Sequence, residues 1–336
     1  MSQHSIAYQA ARQRAACVER THRGRIVVSG ADRRSYLQGL FTNDIDALEA
    51  GRGCYTAYLT AQGRMIADLW VYELGDALLL AMLDDVTASV LGRLDQFIFS
   101  EDVQLGDVTA TFTEIAVVGP ESAAVVATLG SGSADVLNAL PLHGNLRTST
   151  PAGVAVIVTR IEDLGVSGFD LYVERAHAGG LLGSLRQAGV PELASADLDA
   201  LRIEAGVPLF HRDMDEDTIP LEAGIESRAI SMTKGCYVGQ EVIIRVLHRG
   251  HGRVVRKLVG LRVDGDDVPA AGATIRAADR DIGHVTSATF SPVLQQPIAL
   301  AYVHRDFVEP GTTVTIGDRE AAISGLPLVA GLTTVR

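Results

Sequence analysis

The chain has 336 residues, 47% of them apolar, which is enough for two or three compact domains with sizeable cores. Its formal charge of −12 excludes a broad nucleic-acid-binding face, so no DNA partner is expected. Cys17, Cys54 and Cys236 are far apart and form no CxxC pair. That excludes a disulfide framework and a cysteine-ligated cluster held by this chain alone, and points to a reducing, cytoplasmic setting. The N-terminal Met-Ser-Gln-His-Ser-Ile-Ala-Tyr lacks a signal-peptide apolar core, and no run has the length of a membrane span, so no membrane partner is expected.

Residues 1–22 read as a loose or helical lead-in. Arg25–Gly30 predicts a strand ending in a turn, and Ala31–Phe41 a helix with Tyr36, Leu37 and Leu40 on one face. Gly53–Leu59 and Met65–Leu74 predict a hairpin joined by Ala61-Gln62-Gly63-Arg64. A strand at Ala77–Leu83 leads to a helix from Val86 to Phe99, capped by Asp84 or Asp85. Val108–Val118 adds strand, Gly119-Pro120 opens a helical segment, and 130–151 is the most loop-like part of the chain. Strands at Gly153–Ile161 and Phe169–Glu174 precede helices at 176–188 and 196–206, which together predict an α+β arrangement. Beyond a boundary at 248–254, helical spacing disappears. Strands at 254–263, 273–276, 283–289, 298–303, 312–316 and 320–324 predict a small antiparallel barrel or sandwich.

Three constellations carry candidate chemistry. In Met65–Tyr72, alternation places Asp68, Trp70 and Tyr72 on one strand face, where Asp68 is either a shielded carboxylate or a solvated one. Arg202 and Glu204 end a helix with Gly206 as its C′ residue, and Pro208 stops it. A guanidinium there can grip a carboxylate through two parallel hydrogen bonds. The acidic run 213–217 reads as a solvated loop, and Glu222 beyond it as an acceptor for a heterocycle. The basic stretch from Arg245 to Lys257, with His248 and His251, is either an anion site or a solvated linker, and its histidines lack metal-ligand spacing. No stably bound metal is expected.

The densest stretch is Lys234-Gly235-Cys236-Tyr237-Val238-Gly239-Gln240-Glu241, followed by helically spaced Val242, Ile243, Val246 and Leu247. It predicts a loop turning into a helix near Tyr237 or Val238. The helix's positive end and Lys234 would then favour a thiolate at Cys236. The plainer expectation is a packing cysteine.

This stretch resembles the K-G-C-Y-x-G-Q-E signature of YgfZ-type folate-binding proteins, linked to iron–sulfur protein maintenance. With Leu37–Asp44, Gly63–Tyr72, Leu201–Gly224 and Gly283–Val303, nearly the whole chain resembles the superfamily of the aminomethyltransferase (T-protein) of glycine cleavage. The resemblance implies a three-lobed ring: 1–250 as a folate-binding region of two interleaved lobes and 251–336 as a C-terminal β-barrel. Tetrahydrofolate or a derivative would occupy the central channel. Cys236, Lys234 and Asp68 would be catalytic, with Tyr55, Asp68, Arg202, Glu204, Glu222, Tyr237, Gln240 and Glu241 around the cofactor. One departure is visible in Glu162–Asp170, where the transferases' folate-holding Tyr and Glu become Asp163 and Val166.

The implied function is that of an accessory factor acting through Cys236 on iron–sulfur client or assembly proteins. These include radical enzymes that modify tRNA, although direct tRNA binding is not implied. The alternatives are an aminomethyltransferase or demethylase passing a one-carbon unit to tetrahydrofolate, and a non-catalytic partner-binding module.

Overall fold

The computed structural model describes residues 5–130, 132–248 and 253–329. Its strands in chain order are β1 (Ala16–Glu19), β2 (Arg23–Ser29), β3 (Gly53–Leu59), β4 (Met65–Glu73), β5 (Leu78–Leu83), β6 (Gln104–Asp107), β7 (Phe112–Val118), β8 (Asn145–Ser149), β9 (Ala155–Ile161) and β10 (Gly168–Glu174), followed by β11 (Arg256–Val263), β12 (Thr274–Ala277), β13 (Arg280–Ser291), β14 (Gln296–His304), β15 (Thr313–Ile316) and β16 (Arg319–Ser324). They form two five-stranded sheets, ordered β1-β7-β10-β9-β8 and β3-β4-β5-β2-β6, and a closed barrel ordered β11-β14-β13-β12-β15-β16. Every pairing between these strands is antiparallel. β1 and β2 are consecutive yet lie in different sheets, so the short Arg20–His22 link crosses from one sheet to the other.

The β3–β4 hairpin follows from the period-2 pattern of Met65–Tyr72. Its register sets Tyr55 opposite Trp70 and Ala57 opposite Asp68, so Tyr55, Trp70 and Asp68 share a face. Both faces of β4 are covered: Ala67, Leu69 and Val71 are at most 1% exposed, and Asp68 is 8% exposed. At the hairpin tip Gly63 has φ +74 and lies against Gly239, with φ +86, whose added Cβ would come within 2.6 Å of the Thr60 carbonyl oxygen. That close backbone approach seats the helix Gln240–His248 on the hairpin.

The helix Ser195–Ala205 ends at Gly206 in the left-handed conformation (φ +73), as its sequence predicts. The helix Asp84–Asp95 differs from expectation: Asp84 and Asp85 lie inside its first turn, where they favour the positive end without capping it. Residues 130–151 also differ. They hold the helix Ala134–Ala139 and edge strand β8, whose polar Asn-Leu-Arg-Thr-Ser sequence is kept extended by pairing with β9. The lead-in resolves into the helix Ile6–Gln13 and β1. Among the described residues no helix is long and apolar enough to cross a membrane.

Candidate functional site

A cavity of about 410 Å³ lies where the two sheets meet the helix Ser195–Ala205 and the segment after it. The β1–β2 link supplies Arg20 and His22, β2 supplies Arg23 at its start, and β4 supplies Asp68 and Trp70. Asp163 comes from the turn before β10, and Asp199, Arg202 and Arg212 complete its charged lining. Of the residues singled out in the sequence, it brings together Asp68 and Arg202, with Tyr55 immediately behind.

Tyr55 donates its phenol hydrogen to Asp68 Oδ2 at 2.8 Å. The Arg228 guanidinium lies 4.6 Å from the Tyr55 ring centre, and that of Arg23 lies 4.3 Å from Trp70. Burial raises Asp68 above the usual carboxylate range, against the pull of Tyr55, Arg23 and Arg228. A carboxyl moved toward neutrality is suited to exchanging a proton with a ligand nitrogen.

Arg202 is held differently from expectation. Nε donates to Asp199 at 2.8 Å, Nη1 to Asp213 at 2.8 Å, and Nη2 to Ser287 Oγ at 2.8 Å. With its fork taken by the protein, it cannot grip a ligand carboxylate through two parallel bonds. Asp213 corrects the reading of 213–217 as a solvated loop. It is 1% exposed and also accepts from Leu209 N at 3.0 Å and Thr286 Oγ1 at 2.5 Å. The register shift between Val285 and Ser287 in β13 lets consecutive residues Thr286 and Ser287 reach the same network.

The opposite wall is a buried ionic cluster. Arg20 donates to Asp163 through Nη1 at 2.5 Å and Nη2 at 2.9 Å, and Arg23 Nη2 adds a bond at 3.1 Å. Burial works against the Asp163 carboxylate, yet Arg20 and Arg23 hold it well below its ordinary range. Burial drives neighbouring Asp170 well above its range, opposed by Arg20 and reinforced by Glu114 and Asp163. Sequence reasoning met Asp163 only as a departure and missed Arg20, Arg23 and Arg228. For Arg20 and Arg23, the available signal was the cluster of basic residues in Glu19-Arg20-Thr21-His22-Arg23-Gly24-Arg25.

The remaining candidates lie elsewhere. Glu204, 0% exposed, accepts from Tyr8, Arg12 and Ser291 and joins packing, not the cavity. Glu222 pairs with Arg256 at 3.1 Å. Lys234 is buried and its Nζ donates to the carbonyls of Gln38, Phe41 and Asn43 at 2.6, 2.6 and 2.9 Å. Burial lowers it to about 8. Tyr237 is buried, and its hydroxyl has no hydrogen-bond partner among the described residues. Cys236 and Glu241 are exposed, and none of Cys236, Gln240 and Glu241 lines the cavity. The helix start expected near Tyr237 or Val238 is corrected: the helix begins at Gln240, four residues past Cys236, so the thiol sits outside its first turn. Lys234's ammonium is likewise engaged by three carbonyls.

In the basic stretch, Arg249 and His251 lie outside the described residues, while Arg256 pairs with Glu222. Among the described residues no group of three or more His, Cys, Asp or Glu is set to hold a metal ion.

Residues 3–234 match the GCVT N-terminal domain, and residues 256–328 match the glycine cleavage T-protein C-terminal barrel domain. An aminomethyltransferase of Streptomyces coelicolor is 33% identical over 309 residues, covering 90% of this chain and 82% of that relative. One from Rubrobacter xylanophilus is 31% identical, covering 96% and 84%. The crystal structure of glycine cleavage system aminomethyltransferase T from Bartonella henselae superposes with a TM-score of 0.86 over 96% of this chain and 88% of its own, at 24% identity. The architecture is therefore the aminomethyltransferase fold with its C-terminal antiparallel barrel, and the chain belongs to the glycine cleavage T-protein family.

Proposed function

We propose that this protein binds tetrahydrofolate or a derivative in the cavity and takes part in one-carbon transfer at Asp68. The observation that carries the reading is a buried carboxyl, raised by burial and hydrogen-bonded by Tyr55, on the wall of a cavity of about 410 Å³. Aminomethyltransferase relatives that align over most of the chain support it. A folate nitrogen that attacks a one-carbon unit gains positive charge and must shed a proton. Asp68, ionised and shielded, accepts that proton, and Tyr55 fixes which oxygen does so. Arg202 contributes by holding the segment after its helix against the barrel.

The test is transfer from an aminomethyl donor, with release of its amine, to tetrahydrofolate, followed as methylenetetrahydrofolate. Wild-type turnover that is lost in Asp68→Asn is the expected result. Absence of turnover with every such donor, despite folate binding, removes the transfer reading.

A second reading rests on Cys236. It is an exposed thiol in the full K-G-C-Y-x-G-Q-E stretch. In this reading the folate-bound protein serves as a YgfZ-type accessory factor, its thiol meeting iron–sulfur client proteins at the surface, among them radical enzymes that modify tRNA. Loss of client activity in cells carrying Cys236→Ala, at matched abundance, would favour it over transfer.

A further inference from the structure

Two carboxyls on the cavity wall are pushed in opposite directions. Burial raises Asp68, whereas Arg20 and Arg23 outweigh burial at Asp163 and keep it ionised. When neighbouring environments separate two acids in this way, their roles separate too. Asp68 can exchange a proton, while Asp163 can only accept hydrogen bonds.

Asp163 still has capacity to do so. A carboxylate offers about four lone-pair positions. Among the described residues, Arg20 Nη1 and Arg23 Nη2 both go to Oδ2, and Arg20 Nη2 alone goes to Oδ1. One position on Oδ1 remains, and the side chain keeps 9% of its surface exposed. Asp163 and Trp70 also form the wall between the main cavity and a hollow of about 10 Å³ lined by Tyr55, Leu142, His143, Glu162 and Arg228. The acceptor therefore borders both spaces, with Asp68 on the same cavity lining.

We propose that Asp163 Oδ1 accepts an N–H from the aminopyrimidinone edge of a pterin, fixing the ring so that its reactive nitrogen faces Asp68. The ligand class is thus a heterocycle that carries an exocyclic amino group, and a ring without that donor is discriminated against. The side chain of Val166, 9% exposed and packed in an apolar cluster, offers no acceptor. The Arg20 and Arg23 bonds make Asp163 a rigid acceptor, since they fix the carboxyl plane before any ligand arrives. This inference rests on the folate reading above.

The experiment is calorimetric binding of 5-formyltetrahydrofolate and of its 2-desamino counterpart to the full-length chain. Loss of a hydrogen bond to a charged acceptor predicts that the desamino compound binds wild type about 10- to 100-fold more weakly. In Asp163→Asn the parent compound should weaken by a similar factor and the difference between the two compounds should shrink. Equal wild-type affinities for the two compounds overturn the inference while leaving folate binding intact. No binding of either compound to folded wild type overturns the folate reading, and this inference with it. The wild-type comparison needs no variant, so it decides the matter even if Asp163→Asn fails to fold.

Discussion

The loop around Cys236 and the wall around Asp68 treat their reactive groups in opposite ways. At the wall, a carboxyl is enclosed, hydrogen-bonded by one phenol and flanked by two arginines stacked on aromatic rings. On the loop, the charged residue is drawn inward and the thiol is left outside. Lys234 anchors the turn that follows the helix Arg33–Gln38, while Cys236 faces solvent. An eight-residue signature thus divides into an anchoring part and a presenting part. The lesson is that adjacency in sequence does not make a catalytic pair. The cavity groups come from segments far apart in the chain, yet they share one lining.

The sharpest way to break this contrast is to remove each reactive group in turn. Asp68→Asn should lower one-carbon transfer by about 10²- to 10⁴-fold, the range for a lost general base, while Cys236→Ala should leave turnover near wild type. The reverse ranking would move the chemistry to the loop. Next comes Arg20→Ala, which strands a buried carboxylate and should cost about 3–5 kcal/mol in urea unfolding. A loss under 1 kcal/mol would mean the wall does not depend on its ionic cluster.

Acid provides a third handle. Burial lowers His143 to about 4, with Arg228 adding to it and Asp163 opposing it. The unfolded ring takes up a proton near pH 6.5, but the folded ring does so only near 4. This group's contribution is therefore complete above pH 6.5 and is lost as pH falls toward 4, by up to ~3 kcal/mol. His143 has φ +61, so His143→Asn, which tolerates that backbone, should flatten the stability–pH curve in this window. An unchanged curve would remove His143 as the source. The smallest effect separates anchor from thiol. Lys234→Met leaves three carbonyls without their donor and should cost about 2 kcal/mol, whereas Cys236→Ala should stay within about 0.5 kcal/mol. Equal costs would erase the division drawn above.

The legible parts of the molecule were those governed by local rules. Strict alternation in Met65–Tyr72 placed Asp68 beside Trp70, and Gly206 marked a helix end, because period and φ are properties of a few consecutive residues. The six barrel strands could be read for the same reason. What local rules missed depends on distant partners. Asp213 looked solvated inside an acidic run, yet its partner Thr286 is 73 positions away. Asp163 looked like a lost tyrosine, yet Arg20, 143 positions earlier, turns it into a fixed anion. The thiol's expected setting failed through a shift of a few residues in where a helix begins, which Gly239 at φ +86 imposes.

Glu204 has a consequence for how the cavity comes into being. Its side chain is bonded by Tyr8 and Arg12 near one end of the chain and by Ser291 in the barrel. Its backbone carbonyl receives Leu328 N at 2.8 Å and Val329 N at 3.2 Å. The opening helix, the middle of the chain and its closing segment are therefore stitched at one residue. Contacts of such sequence separation are intrinsically slow to form. During synthesis Glu204 must wait for about 120 further residues before its last partners, Leu328 and Val329, emerge. The cavity is thus a whole-chain property: a fragment ending before the barrel would lack Ser291, Leu328 and Val329, and with them the fastening that closes the molecule.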